Sequence, residues 1–173
     1  MEAGFRKGEY VVYGTQGVYA VEDIAEVSFS QKGQLFYILQ PVSRRHSTVY
    51  VPMDKEAAVS KLRYPLTKEG VDSLLEVSKD LSMDWVEDRN QRANAFREIL
   101  NSGDHTRLLI LINCIRARRV YLGAMNKKLS VTDDNVLHSA EQQIKEEFSY
   151  SLGIEEEAVG EYVRNALGVE QNM

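Results

Sequence analysis

The residues with the most distinctive chemistry are a single tryptophan and the arginines that follow it. Trp85 is the only tryptophan of the chain, and Arg89 and Arg92 follow it in the stretch MDWVEDRNQR. On a helix of about 3.6 residues per turn, both guanidinium groups fall within roughly 40° of the indole. Guanidinium groups neutralise phosphates, and a flat apolar ring stacks on a base or wedges between base steps. The spacing is therefore compatible with a nucleic-acid contact.

The same residues also have a purely structural interpretation. Trp85 could cover the joint between two domains, with arginine stems packed over its ring, and composition and spacing alone favour this interpretation. A basic segment further along has a similar ambiguity, since the chain has no Asp or Glu between His105 and Thr132. Its cations could complement helix dipoles. In a chain of net charge −5, they could equally form a phosphate-facing patch.

Catalytic chemistry has little support in the sequence. The histidines His46, His105 and His138 match no metal-ligand spacing, and GTQG at 14–17 lacks the Lys–Ser/Thr pair of a phosphate-binding loop. The single cysteine, Cys114, lies in the most apolar segment, which is typical of a buried thiol. We therefore expect no enzyme, no cofactor and no metal site. A hydrolase that uses His105 or His138 with nearby acids is the weakest alternative.

Residues 5–52 have the composition of a small sheet. The segments EYVVYG, GVYAVEDIAEVSF, LFYILQPV and TVYVP are rich in β-branched and aromatic residues, and turn residues separate them at 14–17 and 30–34. Four or five short strands in so few residues predict a small, strongly bent sheet or barrel.

From Leu66 onward, the apolar periodicity predicts an all-α bundle of about five helices, which makes the fold class α+β. Thr67 and Asp104 are predicted N-caps, and the helix that carries Trp85 is predicted to run from about Asp84 to Asn101. The predicted domain boundaries are a β domain over 1–55, a linker over 56–65, a helical domain over 66–168 and a tail over 169–173.

The sequence also bears on the compartment. No run of about 18 apolar residues is present, and the opening MEAGFRKGEY lacks the apolar core of a secretory signal. A single cysteine excludes an internal disulfide and fits a reducing compartment. We therefore expect a cytoplasmic protein with no membrane partner.

Three blocks of the first half resemble a known family. FRKGEYVVYGTQGVYAVEDI, FYILQPV and STVYVPMD are similar to the N-terminal module of CarD/CdnL-type bacterial transcription regulators, a module shared with transcription-repair coupling factors. The blocks LTKEGVDSLLEV, FREILNSGD and KLSVTDDNVLHSAEQQIKEEFSYSLGI, together with Trp85, extend the resemblance over about residues 5–168.

The resemblance implies a Tudor-like N-terminal domain that binds the RNA polymerase β subunit. It also implies a helical domain that contacts promoter DNA at the upstream fork of the transcription bubble, without sequence specificity. Trp85 would be wedged at the minor groove, and basic neighbours would hold phosphates, so that the open complex is stabilised. The candidate DNA-binding residues are Trp85, Arg89, Arg92, Arg116, Arg118, Arg119, Lys127 and Lys128. A monomer in solution, associated with the transcription complex at the nucleoid, is the expected state.

Exposed strands of a small β module suit protein docking, by edge pairing or through a side-chain face. The candidate polymerase-binding residues are Val27, Ser28, Phe29, Thr48, Val49, Tyr50 and Val51. Tyr50 would be a fitting aromatic anchor, although burial inside a barrel is equally compatible with its position. The alternative function is a protein-interaction adaptor with a Tudor-like module and no DNA binding.

Overall fold

The computed structural model of the chain describes residues 4–168, and the predicted tail over 169–173 lies outside this range. The chain divides into two compact units, Met1–Pro65 and Leu66–Met173. The first contains an antiparallel sheet and the second contains helices, so the predicted α+β class is confirmed.

The first unit, called here the β module, contains five strands and one short helix. In chain order these are β1 Tyr10–Tyr13, β2 Val18–Glu26, β3 Leu35–Pro41, β4 Val49–Pro52, α1 Glu56–Val59 and β5 Leu62–Arg63. The sheet order is β4-β3-β2-β1-β5, so β4 and β5 form its two edges. A register shift between Val21 and Asp23 marks a bulge in β2, which bends the sheet. One face buries Val11, Tyr19, Val21, Tyr37, Leu39, Val51 and Leu62.

The structure differs from the predicted linker over 56–65, because these residues complete the β module. Leu62 is buried and pairs with Tyr13 of β1, and the Gly14 N–H donates to the Lys61 carbonyl over 2.9 Å. A strand of two residues has no periodicity to reveal it in the sequence. The first unit therefore extends beyond the predicted boundary at residue 55, as far as Pro65.

The second unit, called here the helical unit, contains α2 Lys68–Ser78, α3 Arg89–Ser102, α4 His105–Gly123, α5 Val131–Leu152 and α6 Glu156–Leu167. Side-chain oxygens of Thr67, Asp88, Asp104 and Ser130 accept backbone N–H groups at the starts of α2 to α5. Its core includes Leu75, Phe96, Leu108, Ile115, Leu137, Ile144 and Phe148.

One buried carboxylate joins three parts of the helical unit. Glu147 of α5 accepts the Leu66 N–H through Oε2 and lies 2.9 Å from His105 Nε2 through Oε1. The His105 ring also stacks on Phe148, with centroids 5.8 Å apart. The start of the unit and the start of α4 are thereby fixed to the C-terminal part of α5.

Candidate nucleic-acid and protein-docking surfaces

Trp85 does not lie on a helix, so this part of the sequence prediction is wrong. The residues before α3 have no regular secondary structure, and the helix begins at Arg89. Asp88 is the N-cap, and its side chain accepts the Gln91 N–H over 2.9 Å. Because a capping aspartate has extended backbone, the helix cannot continue back to Trp85. The predicted alignment of Trp85 with Arg89 along one helix face is therefore absent.

The indole of Trp85 is half-buried against the core of the helical unit. Its ring meets Phe96 edge to face, with centroids 5.9 Å apart. Two guanidinium groups contact the ring, with Arg92 at 4.6 Å and Arg118 at 5.2 Å from its centroid. Arginine packing over the indole, which the structural interpretation of the sequence expected, is therefore observed within this unit.

Arg92 has an internal role that conflicts with its predicted phosphate contact. It is only 8% exposed, and its Nε and Nη2 atoms each donate to Asp133 carboxylate oxygens over 3.0 Å. Its Nη1 donates to the carbonyl oxygens of Val86 and Glu87. Four of the five N–H donors of this guanidinium are therefore engaged within the protein. Arg92 instead fixes the segment that carries Trp85.

Arg118 connects Trp85 to an aromatic residue that the sequence prediction missed. Its guanidinium lies 5.2 Å from the Trp85 ring centroid and 4.6 Å from that of Tyr121, one turn further along α4. Tyr121 is 54% exposed. We call Trp85, Arg118 and Tyr121 the ring–guanidinium cluster. The spacing of three residues between Arg118 and Tyr121 was the available signal, because such residues are neighbours on a helix surface.

The other predicted DNA-binding residues divide into two groups. Arg89, Arg119, Lys127 and Lys128 are exposed, and the two lysines follow the end of α4. Arg116 is instead half-buried in an ion pair with Glu141, at 2.8 Å from Nη2 to Oε1. Glu87 adds an exposed carboxylate 3.9 Å from Arg118. The structure thus brings Trp85, Arg92 and Arg118 together but commits Arg92 and Arg116 to internal partners.

In the β module, the strand predicted over 27–29 is absent, so this prediction is wrong. β2 ends at Glu26, and Ser28 and Phe29 form a turn in which Ser30 donates to the Val27 carbonyl. The turn folds Phe29 back onto the sheet, where it meets Phe36 at 6.0 Å and Tyr50 at 5.2 Å between ring centroids. Phe29 remains 68% exposed. We call Phe29, Phe36 and Tyr50 the aromatic edge patch.

The edge strand β4 divides its candidates between the two faces of the sheet. Tyr50 is 43% exposed, so the interpretation that buries it in a barrel is wrong. Val51 points the other way into the core and is fully buried, which removes it as a surface contact. Val49 packs against the same core, and the Thr48 hydroxyl donates to Gln40.

The residues considered for catalysis make contacts within the fold. His105 belongs to the Glu147 network, and His138 on α5 faces the Asp134 carbonyl at 3.0 Å. Burial raises the pKa of the Cys114 thiol, so it is protonated near neutral pH and is a poor nucleophile. Across residues 4–168, no group of side chains could hold a metal ion. No helix within that range is long and apolar enough to cross a membrane.

Aromatic residues are enriched in protein–protein interfaces, and the β module carries exposed aromatic rings at its edge. Residues 5–63 match the family model of the CarD-like/TRCF RID domain, which covers the β module almost completely. The β module is therefore a CarD-like/TRCF RID module, and the resemblance seen in its sequence is confirmed. A module of this kind indicates a transcription-related protein that interacts with RNA polymerase. No curated protein matches the chain.

Proposed function

We propose that the protein docks on the RNA polymerase β subunit through its β module and contacts promoter DNA through its helical unit. The DNA contact lies at the upstream fork of the bubble, carries no sequence specificity and stabilises the open complex. The aromatic edge patch on a CarD-like/TRCF RID module is the observation that carries the proposal. Exposed aromatic rings beside an edge strand combine anchoring side chains with free backbone hydrogen-bonding groups.

The ring–guanidinium cluster supports the DNA contact. Arg118 can exchange its place over the rings for a phosphate, which uncovers aromatic surface for an unstacked base. The exposed cations Arg119, Lys127 and Lys128 supply further phosphate partners on and after α4. The chain has a net charge of −5, so its affinity for free DNA is low. Docking on polymerase would raise the effective concentration of this weak DNA site.

Removing the Tyr50 ring tests the polymerase contact. Tyr50→Ala is expected to weaken binding of the full chain to the polymerase β subunit by at least about tenfold, since central aromatic anchors contribute about 2 kcal/mol. Tyr10→Ala is a matched control, because Tyr10 of β1 is 42% exposed but lies three strands from β4. Biolayer interferometry gives both affinities. An equal loss in the two variants, or none in either, would contradict the assignment of the patch.

The ion pairs of Arg92 and Arg116 within the protein favour the alternative function, an adaptor that binds no DNA. The salt dependence of binding to a forked DNA duplex separates this alternative from the proposed function. Replacing Lys127 and Lys128 together by glutamine is expected to make the slope of log Kobs against log[salt] shallower by about 2. Fluorescence anisotropy at low salt measures the slope. The matched control replaces Lys32 and Lys61, two exposed lysines of the β module. A protein that shows no salt-dependent binding at all would be the adaptor.

A further inference from the structure

The helical unit contains a groove whose aliphatic interior takes no part in the proposed function. It lies between α4 and α6, with α5 as its floor, and its volume is about 660 Å³. Volumes of about 300–1,000 Å³ are typical of sites for small molecules.

The interior of the groove is aliphatic. Among the described residues that line it, the apolar ones are Leu109, Ile112, Ala117, Ile144, Val159, Val163 and Leu167. None of these side chains is aromatic, so they provide no ring on which a flat ligand could stack. Branched aliphatic side chains suit a flexible aliphatic chain, which gains free energy by leaving water.

The rim of the groove is cationic in an otherwise acidic chain. Arg116, Arg119, Lys145 and Arg164 line it against Glu141 and Glu161, which gives a net charge of +2. Arg116 is engaged with Glu141. The structure records no ion pair for Arg119, Lys145 or Arg164 within residues 4–168, so these cations are available to an anion entering the groove.

Gly160 makes room for the Arg164 guanidinium on the α6 side of the groove. A Cβ atom at this position would lie 3.2 Å from Arg164 Nη1, so the guanidinium occupies the space that a side chain would otherwise fill. Glycine within a helix costs about 1 kcal/mol relative to alanine. Here it allows Arg164 to lie along α6 at the edge of the aliphatic floor.

We propose that this groove binds a small amphipathic anion, with an aliphatic chain along the floor and a carboxylate or phosphate head among Lys145, Arg164 and Arg119. An aliphatic tail matches the lining, and the unpaired cations match the charge of the head. The proposal is independent of polymerase docking, and Arg119 is the one residue that it shares with the proposed DNA contact. A free amphiphile and a lipid in a bilayer share this chemistry, and the groove accommodates the free molecule.

Decanoate below its micellar concentration is the probe, and methyl chemical shifts of the full chain report its binding. Saturable binding is expected, with shifts at Ile112, Ile144 and Val163. Replacing Lys145 and Arg164 by glutamine should weaken binding by about tenfold or more. Arg97→Gln, which removes an exposed cation of α3 outside the groove, should leave it unchanged.

Gly160→Leu is the second test, because leucine takes up space on the α6 side and displaces the Arg164 guanidinium without removing its charge, and it has a better helix propensity than glycine. It should abolish decanoate binding while the melting temperature of the variant is maintained or raised. The proposal is overturned if Gly160→Leu binds decanoate normally or if decanol binds as well as decanoate. Binding to phosphatidylglycerol vesicles without binding to monomeric decanoate would also overturn it.

Discussion

Replacing Arg92 by alanine is expected to lower the free energy of unfolding of the helical unit by about 3 kcal/mol. Removing one partner of a buried ion pair leaves an uncompensated charge, which costs about 3–5 kcal/mol. In Arg92→Ala, the Asp133 carboxylate and the carbonyl oxygens of Val86 and Glu87 would all lose a donor. Urea denaturation followed by circular dichroism measures the change.

Arg89→Ala is the matched control for this prediction. Arg89 lies on the same helix but is exposed, so its replacement should change stability by no more than about 0.5 kcal/mol. The double variant Arg92→Ala with Asp133→Ala should lose less than the sum of the two single variants, because neither charge is then left alone. Equal, small losses for Arg89→Ala and Arg92→Ala would show that the buried pair contributes little.

Trp85→Ala is expected to shorten the lifetime of the promoter open complex by about tenfold, while affinity for polymerase is retained. Stacking of a base on an aromatic side chain contributes about 1–3 kcal/mol, and 1.4 kcal/mol corresponds to tenfold. Lifetimes are measured by competitor challenge of preformed complexes. A variant that stabilises the open complex as well as the wild-type chain does would exclude a role for the indole.

Packing must be separated from DNA contact in this experiment, because the indole also meets Phe96. Phe96→Leu provides the comparison, since it weakens the same core and keeps the indole. If lost packing alone shortened the lifetime of the open complex, Phe96→Leu and Trp85→Ala would shorten it equally when their losses of unfolding free energy are equal. A longer lifetime for Phe96→Leu than for Trp85→Ala would assign the difference to the ring itself.

The features that the sequence predicted well are local. Thr67 and Asp104 cap helices as predicted, because the side chain and the N–H group it accepts lie three residues apart. The four longer strands follow equally from short patterns. The match to a family model is local in the same sense, because it rests on one continuous block of sequence, residues 5–63.

The features that it missed depend on partners far along the chain. Asp133 lies 41 residues from Arg92, so spacing around Trp85 could not show that this guanidinium is already engaged. Asp88 is a residue type that favours the N-cap, but Asp84 has the same character four residues earlier, so the local pattern does not fix where the helix begins. The groove between α4 and α6 needed three helices in place before its charge and shape existed.

The two edges of the sheet differ in length. β5 contains two residues and β4 contains four, so only the β4 edge has the length to align with a further strand. A strand added there would leave only the short edge unoccupied on the other side. The two ends of the sheet are therefore unequal in the backbone groups that they offer for pairing, and the longer row lies on the same edge as the aromatic edge patch.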